Sequence, residues 1–260
     1  MEPRPLGIVG TDSLARAAAE RIAASGRRVL LFVKGDTTGG KPAKNIERAA
    51  TPTDIGFDCE IVFSFIDDSA ALRDLLIGTP ERLGLGAEMN PGAVLVDFGI
   101  RPPRETQALL GVTGTRGIAI LDAAIVGGEN GLAACGISIL VGGYPDSVDL
   151  AEADLALLGR VDRTGPLGSA HTASALMGYI EAAHHVAHEE AAAVGRALGL
   201  TSETMARVLH SDRHMASPGN IITLARRTGL ALKLATDRGV SADVIDFTGA
   251  RLSKVAEAQL

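Results

Sequence analysis

Aromatic residues are scarce in this chain: tryptophan is absent, and 260 residues include only two tyrosines and six phenylalanines. Proteins that bind single-stranded nucleic acid stack the bases on aromatic side chains, so this scarcity argues against such a platform. The sequence also lacks a basic run, and its formal net charge is -6 at pH 7. We therefore expect neither nucleic acid nor an anionic membrane surface as a partner.

Cysteine is equally rare, and long apolar runs are missing. Cys59 and Cys135 lie far apart without metal-ligand spacing, so both are interpreted as reduced core thiols. No apolar run approaches the roughly 18 residues of a membrane-spanning helix. The first residues, MEPRPLGIVG, lack the charged and apolar regions of a signal peptide. These features predict a cytoplasmic protein without membrane contact.

Hydrophobic residues, in contrast, make up 46% of the chain, which is ample for a core. Residues 1 to about 143 alternate short apolar runs with helical stretches, the pattern of an α/β protein with a doubly wound parallel sheet. Helices are expected near residues 42–50 and after Ser13, Ser69, Pro103 and Ser147. Strands are predicted at 6–9, 29–33, 61–66, 93–97, 118–121 and 137–141.

The pattern of residues 165–200 predicts one long helix that begins after a Gly-Pro turn and ends near Gly199. From residue 167 to 198 it would be on the order of 48 Å long at 1.5 Å per residue, more than one small domain needs. The helix therefore joins two predicted domains, 1–164 and 165–260. Apolar residues recur in steps of three and four, and this stripe is predicted to be buried: Leu176, Ile180, Ala183, Ala187, Ala191, Val194 and Leu198.

Three shorter helices are predicted after the long one, at 202–214, 221–238 and 241–258. Together they are too short to bury both themselves and a long apolar helix. A homodimer that exchanges these C-terminal helices would cover the stripe, and we expect that arrangement.

The turn after the first strand has features of a nucleotide-binding turn. Gly10 and Ala15 are similar to parts of the fingerprint G-x-G-x-x-G/A, in which a helix N-terminus receives a pyrophosphate. The middle glycine is replaced by Asp12, whose carboxylate would repel a diphosphate unless it caps the helix. An ordinary strand-to-helix turn is the alternative. The predicted cofactor contacts in this turn are Gly10, Thr11, Asp12, Ser13 and Leu14.

Lys34 ends the second predicted strand, where an acidic residue would accept the ribose hydroxyls of NAD. A cation there suits the 2′-phosphate of NADP instead, and Thr37, Thr38 and Lys41 could add donors. NADP is therefore favoured over NAD. The alternative is a solvated surface lysine.

Several segments, in order, resemble the β-hydroxyacid dehydrogenases and their imine reductase relatives. They are the Gly10 turn, FIDD at 65–68, NPGAVLVDFG at 90–99, RGIAILDAAIVGGENGLAACG at 116–136, ILVGG at 139–143 and the long helix. The resemblance covers nearly the whole chain, and the DAAI segment is more similar to imine reductases. It implies a Rossmann-type dinucleotide-binding domain at 1–164, with Phe65 and Ile66 at the cofactor. It also implies an interdomain helix and an all-α dimerisation and substrate domain at 165–260.

The departures from the family concern the chemistry. The hydroxyacid enzymes carry a general acid or base lysine on the long helix, and that position falls here on Ser174. The family asparagine four residues later falls on Gly178, and no lysine occurs from residue 165 to 190. His171 lies on the same helix face as Ser174, and these two are the predicted catalytic residues. The alternatives are a helix-start histidine bonded to backbone and a small packing serine.

The predicted substrate-binding residues are mostly apolar: Phe98, Ile125, Val126, Gly127 and Met177. His184 and His188, with Glu181 one turn earlier, have a spacing that zinc sites use. The glutamate of an H-E-x-x-H motif is missing, however, so no metal is predicted. We interpret these residues as a solvent-exposed or interfacial face of the helix.

The leading hypothesis is a cytoplasmic, homodimeric, NADP-dependent oxidoreductase that reduces a small imine or carbonyl compound. The alternative is a catalytically degenerate cofactor- or ligand-binding protein of the same fold, which Asp12, Ser174 and Gly178 favour. A nicotinamide-binding protein with a non-redox reaction is a third hypothesis.

Overall fold

The computed structural model describes residues 3–11, 13–35, 42–80, 82–126, 137–209, 228, 230, 232 and 235–257. The chain divides into two compact units, Met1–Leu176 and Met177–Leu260. This division lies inside the long helix, after the predicted boundary at 164/165. Of the helices in the described ranges, none combines the length and the apolar character needed to cross a membrane.

Strands and helices alternate in the first unit. The first half contains β1 (Leu6–Gly10), α1 (Ser13–Ala24), β2 (Val29–Val33), β3 (Ile46–Arg48), α2 (Pro52–Asp58), β4 (Ile61–Phe65), α3 (Ser69–Ile77), β5 (Gly78–Thr79), β6 (Arg82–Leu83), α4 (Leu85–Glu88) and β7 (Val94–Asp97). The second half contains α5 (Pro103–Ala108), α6 (Leu110–Thr113), a 3-10 turn (Gly114–Arg116), β8 (Ala119–Ile125), β9 (Ser138–Gly142), α7 (Pro145–Leu155), β10 (Arg160–Gly165) and the start of α8 (Ser169–Ala197). All six predicted strands are present.

Eight strands form one sheet in the order β10-β9-β8-β7-β4-β1-β2-β3. Neighbours run parallel except β8 and β9, which pair antiparallel. The predicted Rossmann-type sheet is therefore confirmed, with one antiparallel pairing in it. Because β1 lies between β2 and β4, the strand order reverses there, and such a reversal leaves a ligand crevice at the carboxyl ends of the strands.

The helix predicted near residues 42–50 is wrong. Ile46–Arg48 form the edge strand β3, which pairs in parallel with β2, and the N–H of Ala49 donates to the carbonyl of Leu31 at 2.9 Å. These sheet hydrogen bonds outweigh the helix propensity of a stretch rich in alanine, lysine and glutamate. The next helix begins only at Pro52, where Thr51 and Asp54 form a capping box.

The core lies on both faces of the sheet. Alternate residues of β1 divide between two clusters: Ile8 packs on the face covered by α1 and α7, and Val9 packs on the face covered by α2 and α3. Cys59 belongs to the second cluster as a free buried cysteine, and burial raises the pKa of its thiol to about 12. Its predicted role as a core thiol is confirmed, while Cys135 lies outside the described residues.

The second unit is helical in its described part, which contains the rest of α8, α9 (Ser202–Leu209) and α10 (Asp243–Glu257). Val194, Ala235 and Ala242 form a buried cluster. The carboxylate of Glu190 accepts hydrogen bonds from the N–H groups of Val244 (2.9 Å) and Ile245 (3.1 Å) at the start of α10. A negative charge at a helix N-terminus is favourable, so Glu190 fixes α10 to α8.

The apolar stripe along α8 is buried at its C-terminal end only. Val194 is buried, and the alanines before it are partly buried. Leu176 and Ile180, however, are 61% and 51% exposed. In the single chain the stripe is therefore buried only in part, and burial of Leu176 and Ile180 by the expected dimer stays a prediction.

Candidate cofactor site

A cavity of about 480 Å³ opens at the carboxyl ends of β1, β2 and β4. It lies where the strand order reverses, and its volume falls in the range of roughly 300–1,000 Å³ typical of small-molecule sites. Gly10, Thr11, Lys34 and Ile66 contribute to its wall from the strand ends. Further lining comes from α3 and from the hairpin of β5 and β6, including Asp68, Ala71, Asp74, Thr79 and Arg82.

The turn after β1 is packed tightly against α1. A Cβ placed on Gly10 would overlap the Cβ of Ala15, which is fully buried. The N–H of Thr11 donates to the carbonyl of Phe65 (3.3 Å), and the N–H of Lys34 donates to the carbonyl of Gly10 (2.9 Å). Gly10 and Ala15 thus fill the close-packing roles that a dinucleotide fingerprint requires.

The structure brings four of the predicted cofactor residues to one cavity, namely Gly10, Thr11, Lys34 and Ile66. The other predicted cofactor residues that the structure describes lie nearby in the chain and do not line the cavity. Ser13 begins α1, Leu14 packs partly against the core, and the side chain of Phe65 is buried in the core. Asp12, Thr37, Thr38 and Lys41 are outside the described residues.

Asp68 places a carboxylate in the cavity wall, but its Oδ1 is already used by the backbone. It accepts hydrogen bonds from the N–H groups of Ala70 (2.8 Å) and Ala71 (3.0 Å) at the start of α3. These bonds, that from Ala71 first, lower the pKa of Asp68, and the charges of Arg101 and Lys34 act in the same direction. Asp68 is therefore ionised at neutral pH and serves as a helix cap.

Asp97 and Arg101 form a buried ion pair beside Ile66. The Nε of Arg101 lies 2.8 Å from Oδ2 of Asp97, and its Nη2 donates to Oδ1 at 3.1 Å. Arg101 also donates to the carbonyl of Ile66 and to the Oγ of Ser69, the latter at 2.9 Å. Burial raises the pKa of Asp97, and the charge of Arg101 opposes this rise. The pair ties the loop after β4, which lines the cavity, to the end of β7.

His171 is buried, and both of its ring nitrogens are engaged. Nδ1 lies 2.9 Å from Oγ1 of Thr106, and Nε2 lies 3.1 Å from the main-chain oxygen of Asp97. Because a carbonyl oxygen only accepts, Nε2 carries a proton and donates it to the main-chain oxygen of Asp97, while Nδ1 and the Thr106 hydroxyl share the second hydrogen bond. His171 does not line the cavity at Lys34. The ring links α8 to β7 and α5, and a catalytic role for His171 stays a prediction.

Asp122, on β8, caps the start of α8. Its Oδ1 accepts from the N–H of Gly168 (2.6 Å), and its Oδ2 accepts from the N–H of His171 (2.8 Å). The carboxylate therefore satisfies two N–H groups that a helix start leaves without a partner. Asp122 is also the direct neighbour of Asp97 across β7 and β8. Neither aspartate was predicted as a site residue from the sequence, although a carboxylate inside an apolar strand indicates a dedicated partner.

Phe98, predicted to contact substrate, belongs to the core. It is 6% exposed, and its ring stacks on Phe65 with the centroids 4.7 Å apart. It also meets Phe63 edge to face at 5.3 Å. Such aromatic pairs add roughly 0.5–1.5 kcal/mol beyond their buried area. Packing therefore explains the position of Phe98, and a contact of its side chain with substrate stays a prediction.

The other predicted substrate and catalytic residues that the structure describes lie in β8, in the loop after it and in α8. Ile125 and Val126 are partly buried at the end of β8, and Gly127 is outside the described residues. Ser174 is half-buried in the first unit, whereas Met177 begins the second. Among the described residues, no three histidine, cysteine, aspartate or glutamate side chains are grouped so that they could hold a metal.

Residues 5–168 match the family model described as the NAD binding domain of 6-phosphogluconate dehydrogenase. L-threonate dehydrogenase of Cupriavidus necator is 27% identical over 205 residues. The aligned part makes up 76% of this chain but 65% of that enzyme, which is slightly less than two thirds of its length.

Solved structures share the fold over nearly the whole chain. An imine reductase from Myxococcus stipitatus in complex with NADP⁺ superimposes with a TM-score of 0.78 at 18% identity, over 98% of this chain and 94% of that one. A V8 variant of an imine reductase from the same organism, in complex with NAD⁺, gives 0.79 at 17% identity, over 99% and 95%. The resemblance to hydroxyacid dehydrogenases and imine reductases is thereby confirmed at the level of family and fold.

The sheet order, the crevice at the ends of β1, β2 and β4 and the close contact of Gly10 with Ala15 agree with a dinucleotide-binding domain. The family match covers most of the first unit and more than half of the chain. The chain belongs to the family of the NAD-binding domain of 6-phosphogluconate dehydrogenase, a family of domains that bind a nicotinamide dinucleotide.

Proposed function

We propose that this protein is an NADP-dependent oxidoreductase that reduces a small imine or carbonyl compound. The observation that supports it best is the cavity at the reversal of strand order, with Lys34 in its wall at the end of β2. The dehydrogenase and imine reductase names of its relatives support the reaction class. In such an enzyme the cofactor supplies the hydride, while the protein binds and orients both reactants.

Lys34→Ala is expected to weaken NADPH binding by about 1–3 kcal/mol and to leave NADH binding nearly unchanged. The reason is that the lysine ammonium would pair with the 2′-phosphate, which NADH lacks. Nicotinamide fluorescence, followed while each cofactor is titrated into the purified protein, measures both affinities.

Lys44→Ala is the matched control, because it removes the same charge from an exposed lysine that does not line the cavity. It should leave both affinities unchanged. Equal losses for NADPH and NADH in Lys34→Ala would contradict the proposed role of Lys34.

Ser174, one of the two predicted catalytic residues on α8, is a candidate to hold or deliver a proton. A positioned donor contributes about 10² to 10⁴ in rate. A cyclic imine that arrives as an iminium ion already carries its proton and needs no strong acid, so imines are included with carbonyl compounds in the substrate class.

The experiment that tests the function is a screen of cyclic imines, small ketones and semialdehydes with NADPH. Any substrate that turns over is then measured with Ser174→Ala, which we expect to lose about a hundredfold in kcat. Thr172→Ala, on the opposite side of α8, is the control and should keep wild-type turnover. Unchanged turnover in Ser174→Ala would remove Ser174 from the mechanism.

A catalytically degenerate cofactor-binding protein is the second candidate function. The absence of lysine from 165–190 and the glycine at the family asparagine position favour it. Tight NADPH binding without turnover of any compound in the screen would select this candidate.

We further propose that the chain forms a homodimer with exchanged C-terminal helices. The support is the uncovered apolar stretch of α8, in which Leu176 and Ile180 are 61% and 51% exposed. Sedimentation should show a dimer at micromolar concentration, and Ile180→Glu should shift it towards monomer because burying an unpaired charge is unfavourable. Arg196→Glu, at an exposed position of the same helix, is the control. A stable, folded wild-type monomer would contradict the proposal.

A further inference from the structure

A short hairpin brings an arginine into the wall of the cofactor cavity. In this hairpin Gly78 pairs with Leu83, and Thr79 pairs with Arg82. Gly78 has a φ of 92°, and a Cβ on either Gly78 or Gly84 would overlap the backbone of the other arm. Two glycines thus allow the arms to touch, and the main chain at Arg82 is fixed by this backbone packing.

Among the described residues, none forms a side-chain ion pair or a side-chain hydrogen bond with Arg82 that would explain its position. It is exposed and lines the same cavity as Lys34. Within the part of the chain that the structure describes, no carboxylate lies at ion-pair distance from the guanidinium of Arg82. The Arg82 guanidinium is therefore available to a ligand. The guanidinium of Arg101, in contrast, is already paired with Asp97.

A phosphate that binds in this cavity would be stabilised by a second cation. The described residues of the cavity wall include two carboxylates, Asp68 and Asp74, besides Lys34 and Arg82. A phosphate monoester adds a charge of about -1.5 to -2 at pH 7. Lys34 alone would face all three negative groups. Arg82 adds a second positive charge, and its planar guanidinium can donate two parallel N–H groups to phosphate oxygens.

We propose that Arg82, held by the glycine-closed hairpin of β5 and β6, contacts the 2′-phosphate of NADP together with Lys34 and is a second determinant of cofactor specificity. This inference rests on the proposed function, because it concerns the same cavity and the same cofactor. A ribose hydroxyl, which takes the place of the 2′-phosphate in NAD, is uncharged and gains little from a second cation.

The test compares cofactor affinities of the wild type, Arg82→Ala, Arg82→Lys and Lys34→Ala by nicotinamide fluorescence with NADPH and NADH. Arg82→Ala should weaken NADPH binding about 10- to 100-fold, the range for a hydrogen bond to a charged group, and change NADH binding little. Arg82→Lys should lie between Arg82→Ala and wild type, since a lysine keeps the charge but not the paired N–H groups.

Arg73→Ala is the matched control. It removes the same charge from an exposed arginine on α3 that lines a different cavity, so both affinities should stay at the wild-type values. Thermal unfolding of each variant shows whether it is folded. If Arg82→Ala does not fold, the NADPH and NADH affinities of Arg82→Lys and Arg82→Gln are compared with those of the wild type instead.

The outcomes separate the inference from the proposed function. A wild-type preference for NADPH that persists in the Arg82 variants overturns the role of Arg82 and leaves the proposed function intact. Equal losses for NADPH and NADH in Arg82→Ala place Arg82 at a part that both cofactors share, which also overturns the inference. A wild type that binds NADH as tightly as NADPH overturns the NADP assignment itself.

Discussion

Arg101→Ala is expected to lower the free energy of unfolding by about 3–5 kcal/mol, the cost of breaking a buried ion pair by removing one partner. Arg101 is 6% exposed and Asp97 is fully buried. The variant would therefore leave a carboxylate inside the protein without its cation. The carbonyl of Ile66 and the hydroxyl of Ser69 would lose a donor as well. Urea unfolding followed by circular dichroism measures the change.

Arg104→Ala is the control for this experiment, because Arg104 is an exposed arginine of the same segment. Its effect should stay within about 0.5 kcal/mol, as for most surface substitutions. The double variant Asp97→Ala/Arg101→Ala should cost less than the sum of the two single variants, since neither charge then remains without a partner. An Arg101→Ala protein as stable as Arg104→Ala would disprove the structural importance of the pair.

Asp122→Ala is expected to lower the free energy of unfolding by roughly 2–6 kcal/mol, because each of two buried N–H groups left unsatisfied costs about 1–3 kcal/mol. The two groups are those of Gly168 and His171 at the start of α8. Asp122→Asn keeps one acceptor oxygen and should cost about half as much. The same urea experiment measures both variants.

Asp149→Ala is the control for the cap. Asp149 is an exposed aspartate whose partner is Arg163 on the surface, and such pairs contribute about 0–1 kcal/mol. The assignment of Asp122 as the cap of α8 fails if its alanine variant is no less stable than Asp149→Ala.

The buried strands were predictable because their apolar runs are continuous. Strands β1, β2, β4, β7, β8 and β9 all follow this pattern, which is expected when both faces of a sheet are covered. The edge strands were not predictable. β10, with the sequence RVDRTG, contains one large apolar residue, Val161, and has no apolar run to detect. The antiparallel direction of β9 was equally hidden, since a strand buried on both faces has the same composition in either direction.

The residues of the candidate cofactor site were predictable only where they stand at the ends of predicted strands. Gly10, Thr11 and Lys34 stand at strand ends, and the sheet brings strand ends to one edge. The partners of Asp122 lie 46 and 49 residues further along the chain, a distance from which no spacing rule can infer a hydrogen bond. For the same reason the sequence could not show that Thr106 and the main-chain carbonyl of Asp97 contact the ring nitrogens of His171.

The contacts of Asp122 and His171 also bear on which fragment of the chain can fold on its own. A fragment ending at residue 164 would retain Asp97, Thr106 and Asp122 but lose both N–H groups that Asp122 binds and the ring that contacts the other two. The first compact unit instead extends to Leu176 and includes all of these partners. The opening turns of α8 are therefore energetically part of the sheet, and an autonomously folding dinucleotide-binding fragment has to include them.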